Sequence, residues 1–235
     1  MNEFSIFKDL ETASERKISR GGLAIFRLDG SNFSKYTAQF EKPFSIPFEV
    51  AMDAAAAAVY TKVLTNALLV YVGSDEISVV VSDAHVELPY GGRVNKLVSL
   101  TAAHASAGFS GAISPALGTP VFDSRFIEFF DSALIREYIT WRRLDVRKNA
   151  TSMAAGALRS HKELMGVSTR ERGILLEGTQ FEKIPEGTFN GRFMVKTDEG
   201  IEFVPATREL AEELCAAAKD THDNITALKA SNAVA

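Results

Sequence analysis

Three acidic residues stand where apolar, strand-like runs begin or end. Asp29 closes the run LAIFRLD, and Asp75 and Glu76 separate the runs ALLVYVG and ISVVVS, which have the pattern of a β-hairpin. If the first strand lies beside this hairpin, the three carboxylates converge. Clustered carboxylate oxygens suit Mg²⁺, and a pair of such ions suits phosphoryl or nucleotidyl transfer. The alternative is that these acids simply face solvent, although the apolar flanks of Asp75 weaken it.

Further residues around these acids could bind phosphate groups. Gly30 would let the backbone approach an ion or a phosphate closely, and Asn32 and Phe33 could begin a helix whose N–H groups face an anion. The cations of the kind that clamp a triphosphate are Arg93, Lys96 and Arg125. Taken singly, each of these cations is more commonly a solvated surface charge.

Residues 136–172 form a basic stretch in a chain whose overall charge is −4. They contain nine lysines and arginines against four acids, a local charge of +5, and Tyr138 and Trp141 are interleaved among them. Such a surface could bind RNA phosphates and stack on bases. A solvated helix face with its aromatic residues in the core fits the same charges equally well.

The elements that must position these residues follow the order strand, helix, hairpin, helix, strand. The spacing of apolar residues predicts helices over 47–66 and 92–107, and TPVFDSR at 119–125 has the character of a further strand. This order is the split βαβ arrangement of a ferredoxin-like sheet, which polymerase palms and nucleotide cyclases share with many binding modules. The predicted fold class is therefore α+β, with a largely antiparallel, palm-like sheet and flanking helices.

The remainder of the chain has the pattern of a C-terminal extension. FMVK and IEFV suggest a late hairpin, and helical patterns cover four segments, 131–147, 149–163, 168–177 and 207–230. We therefore expect a palm-like catalytic domain over 1–130, which includes a short amphipathic N-terminal helix. We expect the helical and hairpin extension over 131–235 to pack on it and to provide RNA and oligomer contacts.

Composition and missing motifs exclude other classes. The 235-residue chain has one cysteine, Cys215, and its N-terminus lacks the continuous apolar core of a signal peptide, so a reducing cytoplasm is expected. The uncharged stretch 97–122 is too rich in glycine and proline to cross a membrane. The chain contains no P-loop, GxGxxG or HExxH motif, and its four histidines lack metal-ligand spacing. Zinc catalysis is thereby improbable.

Six ordered motifs make the sequence similar to a known family. They are RLDGSNF at 27–33, KP at 42–43, GSDEIS at 73–78, GGRVNKLVS at 91–99, FDSR at 122–125 and YITWRRLDVRKN at 138–149. In this order and spacing they resemble the tRNA-His guanylyltransferase family and its Thg1-like relatives, enzymes that extend RNA in the 3′ to 5′ direction. The resemblance covers roughly residues 20–180.

The resemblance implies a palm-like sheet that binds two Mg²⁺ ions through the carboxylates of Asp29 and Asp75 and the carbonyl of Gly30, with Glu76 as a further catalytic residue. It implies that ATP first activates an RNA 5′-monophosphate, which the 3′-hydroxyl of GTP then attacks. The nucleotide contacts that it implies are Asp29, Gly30, Ser31, Asn32, Phe33, Ser34, Lys42, Ser74, Asp75, Arg93, Lys96 and Arg125. The RNA-binding residues that we expect are Arg142, Arg143, Arg147, Lys148 and Asn149. Family members are commonly tetrameric, so a homotetramer is expected.

The chain departs from the family pattern in three places. RKNATSM at 147–153 stands where the eukaryotic tRNA-His enzymes have His-Ile-Asn-Asn-Leu-Tyr-Asn, Ser34 stands where they have His, and Phe44 and Ser45 stand where they have Asn-Asp. We therefore expect a template-dependent 5′-end repair enzyme with altered recognition of the activating nucleotide. Two alternatives stay open: a palm-fold nucleotide cyclase or oligonucleotide synthase that needs no RNA primer, and a non-catalytic RNA-binding module.

Overall fold

An antiparallel sheet organises the computed structural model, which describes residues 5–84 and 87–232. The strands are β1 Leu23–Gly30, β2 Leu69–Gly73, β3 Glu76–Ser82, β4 Phe122–Phe129, β5 Arg192–Thr197 and β6 Gly200–Pro205. They form one six-stranded sheet in the order β4-β1-β3-β2-β5-β6, and all the neighbouring pairs are antiparallel. The first four strands have the order of a ferredoxin-like sheet, so the predicted α+β, palm-like fold is confirmed.

Helices cover both faces of this sheet. In the described ranges they are α1 Ser5–Ala13, α2 Phe33–Tyr36, α3 Ile46–Lys62, α4 Val94–Gly111, α5 Leu134–Leu158, α6 Thr169–Ile174, α7 Glu186–Asn190 and α8 Arg208–Asn232. The segments predicted as separate helices over 131–147 and 149–163 are instead joined in the single helix α5. Val146 and Ala150 stay buried one turn apart across the expected break, and arginine and lysine are good helix formers, so the helix continues through this polar run.

The sheet is buried on both faces because alternate residues of its strands pack on different helices. Ala24, Phe26 and Leu28 of β1 belong to the core formed with α3 and α4, whereas Leu23 and Ile25 belong to the core formed with α5 and α8. The same alternation turns residues 27 and 29 toward the side of α5. The end of β1 thus delivers polar side chains to a space that helix α5 covers.

The late hairpin predicted for the extension is confirmed, and it continues the same sheet. β5 pairs with β2 through Tyr71 with Phe193 and Val72 with Arg192. Phe193 is fully buried in the core that α5 and α8 cover. Two of the six strands therefore come from beyond residue 130. Among the described residues, no helix has the length and apolar character needed to span a membrane.

Candidate active site

The register of β1 places acidic residues in one row across the sheet. Asp29 lies directly opposite Glu76 on β3 and directly opposite Asp123 on β4. Residues opposite each other in antiparallel strands project to the same face, with Cβ atoms about 5 Å apart. Asp123 is a site residue that sequence reasoning missed, although its alternation with Arg125 in FDSR places both on one face of a strand. We call Asp29, Glu76 and Asp123 the acidic row.

Asp75 reaches the same end of the sheet from the turn between β2 and β3. The N–H of Gly30 donates a hydrogen bond to the carbonyl of Asp75 at 3.1 Å, so this turn is tied to the end of β1. Ser74 holds the turn in a left-handed conformation, with a φ of 55°. A Cβ on Gly30 would overlap the buried ring of Phe33, so glycine is needed there for close packing. The three residues predicted to bind metal, Asp29, Gly30 and Asp75, therefore lie together.

Negative charge dominates around Asp29. Burial raises the pKa of its carboxyl above the usual value, and the carboxylates of Asp75 and Asp123 raise it further, against the lowering effects of Arg27 and Arg125. Arg125 Nη2 lies 3.8 Å from Asp29 Oδ2, and Arg125 Nε lies 3.4 Å from Asp123 Oδ1. This predicted cation is thus at the acidic row. Because the carboxylates still repel one another, the site favours a further cation.

Glu76 is the most buried side chain of the acidic row, and arginines hold it. Arg142 Nη1 lies 3.3 Å from Glu76 Oε2, and Arg27 Nε lies 3.4 Å from the same oxygen. Burial raises the pKa of Glu76 to about 7 in spite of these two cations, and Asp29 is among the carboxylates that raise it further. Arg142 Nη2 also lies 2.8 Å from Asp145 Oδ2. Arg142 therefore links α5 to the acidic row.

A cavity of about 620 Å³ opens beside Asp75, between α3, α5 and the segment 34–45. We call it the nucleotide cavity. The predicted nucleotide-binding residues that line it are Ser34, Lys42, Ser74 and Asp75. Its other walls include aromatic residues and one face of α5, namely Phe40, Phe44, Phe48, Asn149, Ser152 and Met153. Its size and mixed lining are those of a small-molecule site, and Asp75 joins it to the acidic row.

Comparison with known proteins identifies the family. The model of the tRNA-His guanylyltransferase family matches residues 4–130, more than half of the chain. The chain belongs to this family. A curated tRNA-His guanylyltransferase of Schizosaccharomyces pombe is 35% identical over 136 residues, 53% of this chain and 49% of that protein. An uncharacterized protein of Acanthamoeba polyphaga mimivirus is 27% identical over 181 residues, 63% of this chain and 60% of that one. The chain thus spans about half to three fifths of the length of these relatives.

Solved structures of the tRNA-His guanylyltransferase family share the fold. A bacterial tRNA-His guanylyltransferase-like protein in complex with ATP aligns with a TM-score of 0.81 and 24% identity, over 89% of this chain and 94% of that one. The Saccharomyces cerevisiae tRNA-His guanylyltransferase aligns with a TM-score of 0.69 and 21% identity, over 91% of this chain and 100% of that one. The likeness extends well beyond residue 130, so the C-terminal part of the chain belongs to the common architecture.

Arg93 and Lys96 lie at the other end of the sheet from Asp29. The last turn of α4 packs Phe109 on Phe33, beside the acidic row, whereas the backbone at the start of α4 is hydrogen-bonded to the carbonyl of residue 16. Six residues of strand separate the two ends of β1, which corresponds to roughly 20 Å. The start of α4, with Arg93, is therefore well separated from Asp29 along the sheet. The triphosphate clamp that includes Arg93 and Lys96 thus stays a prediction.

Both cations also have local partners. Arg93 Nη1 lies 3.5 Å from Glu15 Oε2, and its Nε donates a hydrogen bond to the carbonyl of Tyr90 at 3.2 Å. Lys96 Nζ lies 5.4 Å from the centre of the Tyr90 ring. These contacts fix the start of α4 against the segment that precedes β1.

The segment after β1 does not form the anion-binding helix start that the sequence suggested. α2 is a single turn of four residues, and Asn32 before it is left-handed and makes no capping hydrogen bond through its side chain. The ring of Phe33 is buried and packs on Phe109 at a centroid distance of 5.6 Å. The N–H of Ser31 donates to the carbonyl of Val121 at 2.8 Å. Because the ring of Phe33 is buried, this segment can offer a nucleotide its backbone and the exposed side chains of Ser31 and Asn32.

Two of the predicted RNA-binding residues are buried. Arg142 and Arg143 are only 7% and 8% exposed, because both project inward from α5. Arg143 donates hydrogen bonds from Nε and Nη2 to the carbonyl of Ala206, at 3.0 and 2.7 Å. This burial contradicts the prediction that Arg142 and Arg143 lie on an open surface that binds RNA.

The other three predicted RNA-binding residues divide between different surroundings. Arg147 is half-buried, and its Nε donates to Asn190 Oδ1 at 2.7 Å. Asn149 lines the nucleotide cavity. Lys148 is exposed and has no side-chain partner among the described residues. Of the five, Lys148 is the one that leaves its whole charge available to RNA at the surface.

Proposed function

We propose that this protein is a Mg²⁺-dependent 3′–5′ nucleotidyltransferase that adds GTP or other nucleotides to the 5′ end of tRNA or a tRNA-like RNA. The observation that carries the proposal is the placement of Asp75 between the acidic row and the nucleotide cavity. Membership of the tRNA-His guanylyltransferase family supports the reaction. Structures of bacterial relatives in complex with ATP and with GTP support nucleoside triphosphates as substrates.

The donor chemistry at the end of β1 fits Mg²⁺. Asp29 and Asp75 offer carboxylates and Gly30 offers a carbonyl, and Mg²⁺ is commonly held by one or two carboxylates together with substrate phosphates. In residues 5–84 and 87–232 no group of three or more His, Cys, Asp or Glu side chains is arranged to hold a metal ion. Burial and the nearby carboxylates of Asp75 and Asp123 raise the pKa of Asp29. A divalent cation would neutralise this concentration of negative charge. Bound Mg²⁺ would lower the pKa of the attacking hydroxyl and neutralise the triphosphate.

The chain's own residues would bind and orient the substrates. Lys42 lines the nucleotide cavity and has no ion pair among the described residues, so its ammonium is available to a phosphate group. Phe40 and Phe44 supply apolar surface for a base. Arg142 fixes Glu76 beside Asp29, so the acidic row keeps its spacing when a substrate arrives.

Most positions where this chain departs from the eukaryotic tRNA-His enzymes line the nucleotide cavity. Those that line the nucleotide cavity are Ser34, Phe44, Ser45, Ala150, Ser152 and Met153. We infer that these departures alter which nucleotide is accepted, which supports a 5′-end repair enzyme. Phe44→Asn should change the ratio of kcat/KM for ATP and GTP as activating nucleotides and leave the KM for RNA unchanged. An unchanged ratio would show that Phe44 does not determine which nucleotide is selected.

The test of the proposed function is transfer of nucleotide to a defined RNA end. The protein is incubated with Mg²⁺, ATP, labelled GTP and a 5′-monophosphorylated tRNA that lacks its first nucleotide. Asp29→Asn should reduce addition about a thousandfold or more because it removes a carboxylate from the reacting centre. Asp198→Asn, which removes an exposed acid between β5 and β6, is the matched control and should react as the wild type does.

The position of the label separates the candidate functions. Label at the RNA 5′ end that depends on Asp29 supports the proposal. Label in a small product without RNA would replace it with a cyclase or oligonucleotide synthase. RNA binding that does not depend on Mg²⁺, together with label in neither product, would show instead that the protein is a non-catalytic RNA-binding module.

We further propose that Arg93 and Lys96 act on a nucleotide at the acidic row of a different copy in a homotetramer. Roughly 20 Å of strand separates the start of α4, with Arg93, from Asp29 of the same chain, and a second copy removes that limit. Asp29→Asn and Arg93→Gln should each be inactive alone, and mixed oligomers of the two should regain activity. Mixed oligomers that stay inactive would show that the cations serve no neighbouring site.

A further inference from the structure

A second cavity, of about 280 Å³, lies between α5 and α8. We call it the α5–α8 cleft. It shares no lining residue with the nucleotide cavity, because the two open on different faces of α5. Its floor is apolar, and the charged side chains that line it are Arg136, Arg143, Arg147, Arg208 and Glu212. Four guanidinium groups against one carboxylate give the lining a net charge of +3.

Arg143 is the clearest evidence that the chain itself supplies too little negative charge in this cleft. The residue is 8% exposed, and its hydrogen bonds go to the neutral carbonyl of Ala206. Within the described ranges Arg143 forms no ion pair. Burial lowers its pKa, and the charge of Arg147 lowers it further, while Tyr71, Cys215 and the carboxylate of Glu209 have weaker raising effects. A buried charge is normally paired, so this arrangement stabilises a bound anion.

The other arginines of the cleft are also short of negative partners. Arg147 donates through Nε to the neutral side chain of Asn190 and has no ion pair in the described part of the chain. Arg136 and Arg208 share a single carboxylate, that of Glu212, at 3.5 and 3.2 Å. Guanidinium groups present paired N–H donors that match the oxygens of a phosphate group.

We propose that the α5–α8 cleft is an anion site that takes a phosphate group, separate from the nucleotide cavity. The group can come from the RNA backbone or from a free polyphosphate. The RNA source rests on the proposed function, whereas the polyphosphate source does not. Either way, Arg143 and Arg147 provide the unbalanced charge, and Arg136 and Arg208 close the entrance.

The test compares two variants that each remove two positive charges. Arg136→Gln with Arg208→Gln acts on exposed side chains at the cleft, so Arg143 stays in place to hold Ala206. Arg20→Gln with Lys62→Gln removes exposed charges elsewhere and is the matched control. Tripolyphosphate is titrated calorimetrically into each protein without Mg²⁺, and ATP is titrated with Mg²⁺ to check the nucleotide cavity.

We expect the cleft variant to bind tripolyphosphate at least about tenfold more weakly than the control variant, because two charge-assisted hydrogen-bonding groups are lost. ATP binding should be equal in both. Equal tripolyphosphate binding in the two variants, with ATP binding intact, would overturn the proposal. It would leave the proposed function untouched, because the nucleotide-addition assay tests that separately.

Filter binding of the 5′-monophosphorylated tRNA separates the two sources. If an RNA phosphate enters the cleft, the cleft variant binds tRNA more weakly than the control, and its slope of log affinity against log salt falls by about 1 for each lost phosphate contact. Unchanged tRNA binding with weakened tripolyphosphate binding assigns the cleft to a free polyphosphate. Unchanged binding of both would overturn the proposal.

Discussion

Two adjacent arginines on α5, buried to the same extent, meet opposite surroundings. Arg142 projects to the acidic row, where carboxylate oxygens of Glu76 and Asp145 lie 3.3 and 2.8 Å away. Arg143 projects to the α5–α8 cleft, where its hydrogen-bond acceptor is the carbonyl of Ala206. The positive charge is balanced inside the chain in the first region and unbalanced in the second. The first arrangement suits the positioning of a catalytic acid, and the second suits the binding of a ligand.

The largest effect on stability should come from breaking the balanced region. Arg142→Met leaves Asp145 without its cation and leaves Glu76 with Arg27 alone, and removal of one partner of a buried pair costs about 3–5 kcal/mol. Urea denaturation of the wild type and the variant measures this loss in the free energy of unfolding. Arg142→Met combined with Glu76→Gln should recover part of it, because the buried side chain at position 76 is then neutral and no longer needs the lost cation. Simple addition of the two single losses would contradict the pairing.

A smaller effect is expected in the unbalanced region. Arg143→Met leaves the carbonyl of Ala206 without its donor, which costs about 1–3 kcal/mol, and it removes a charge that burial already disfavours. Tripolyphosphate should raise the Tm of the wild type more than that of Arg143→Met. Thermal unfolding with and without the anion measures the difference. A stability loss as large as that of Arg142→Met would show that the two arginines are equivalent after all.

The smallest effect should appear on acidification, through the docking of α8. His222 Nδ1 lies 2.7 Å from Ser82 Oγ, and burial lowers the pKa of His222 below its usual 6.5, against a weaker raising effect of Asp223. The folded protein therefore binds this proton less readily than the unfolded chain, so the free energy of unfolding falls as pH drops through that value.

Urea titrations of the wild type and His222→Gln at pH 7.5 and pH 5.5 isolate this contribution as the difference between them, because Glu76, whose raised pKa acts in the opposite direction, is common to both. Because α8 forms one wall of the α5–α8 cleft and does not line the nucleotide cavity, acid should weaken tripolyphosphate binding more than ATP binding. An identical fall in the wild type and His222→Gln would assign the pH dependence to other groups.

Local sequence patterns were sufficient to predict the first three strands and the acidic residues Asp29, Asp75 and Glu76. Apolar runs that end in Asp29 or flank Asp75 correspond to β1, β2 and β3 as observed. Asp123 escaped notice because its role depends on the register between β1 and β4, which no local pattern specifies. The break expected in α5 was wrong because buried residues on both sides of it continue one helical face.

The cations were harder to place, because their positions depend on the direction of helices. Arg93 and Lys96 were assigned to the acidic row, yet β3 runs away from that row and α4 starts at the far end. The order and direction of β3 and α4 were enough to show that the start of α4 lies away from Asp29. The different surroundings of Arg142 and Arg143 could not be derived from two identical neighbours in the sequence, since they depend on where α8 and the segment around Ala206 pack.

The continuity of the sheet has a practical consequence for dissecting this protein. The match to the family ends at residue 130, whereas β5 pairs with β2 and Phe193 completes the core beneath it. A chain truncated at residue 130 would turn β2 into an unprotected edge strand and uncover the apolar side chains of Leu23 and Ile25. Such a fragment should aggregate on expression, so residues 1–130 should not be obtainable as a separate module.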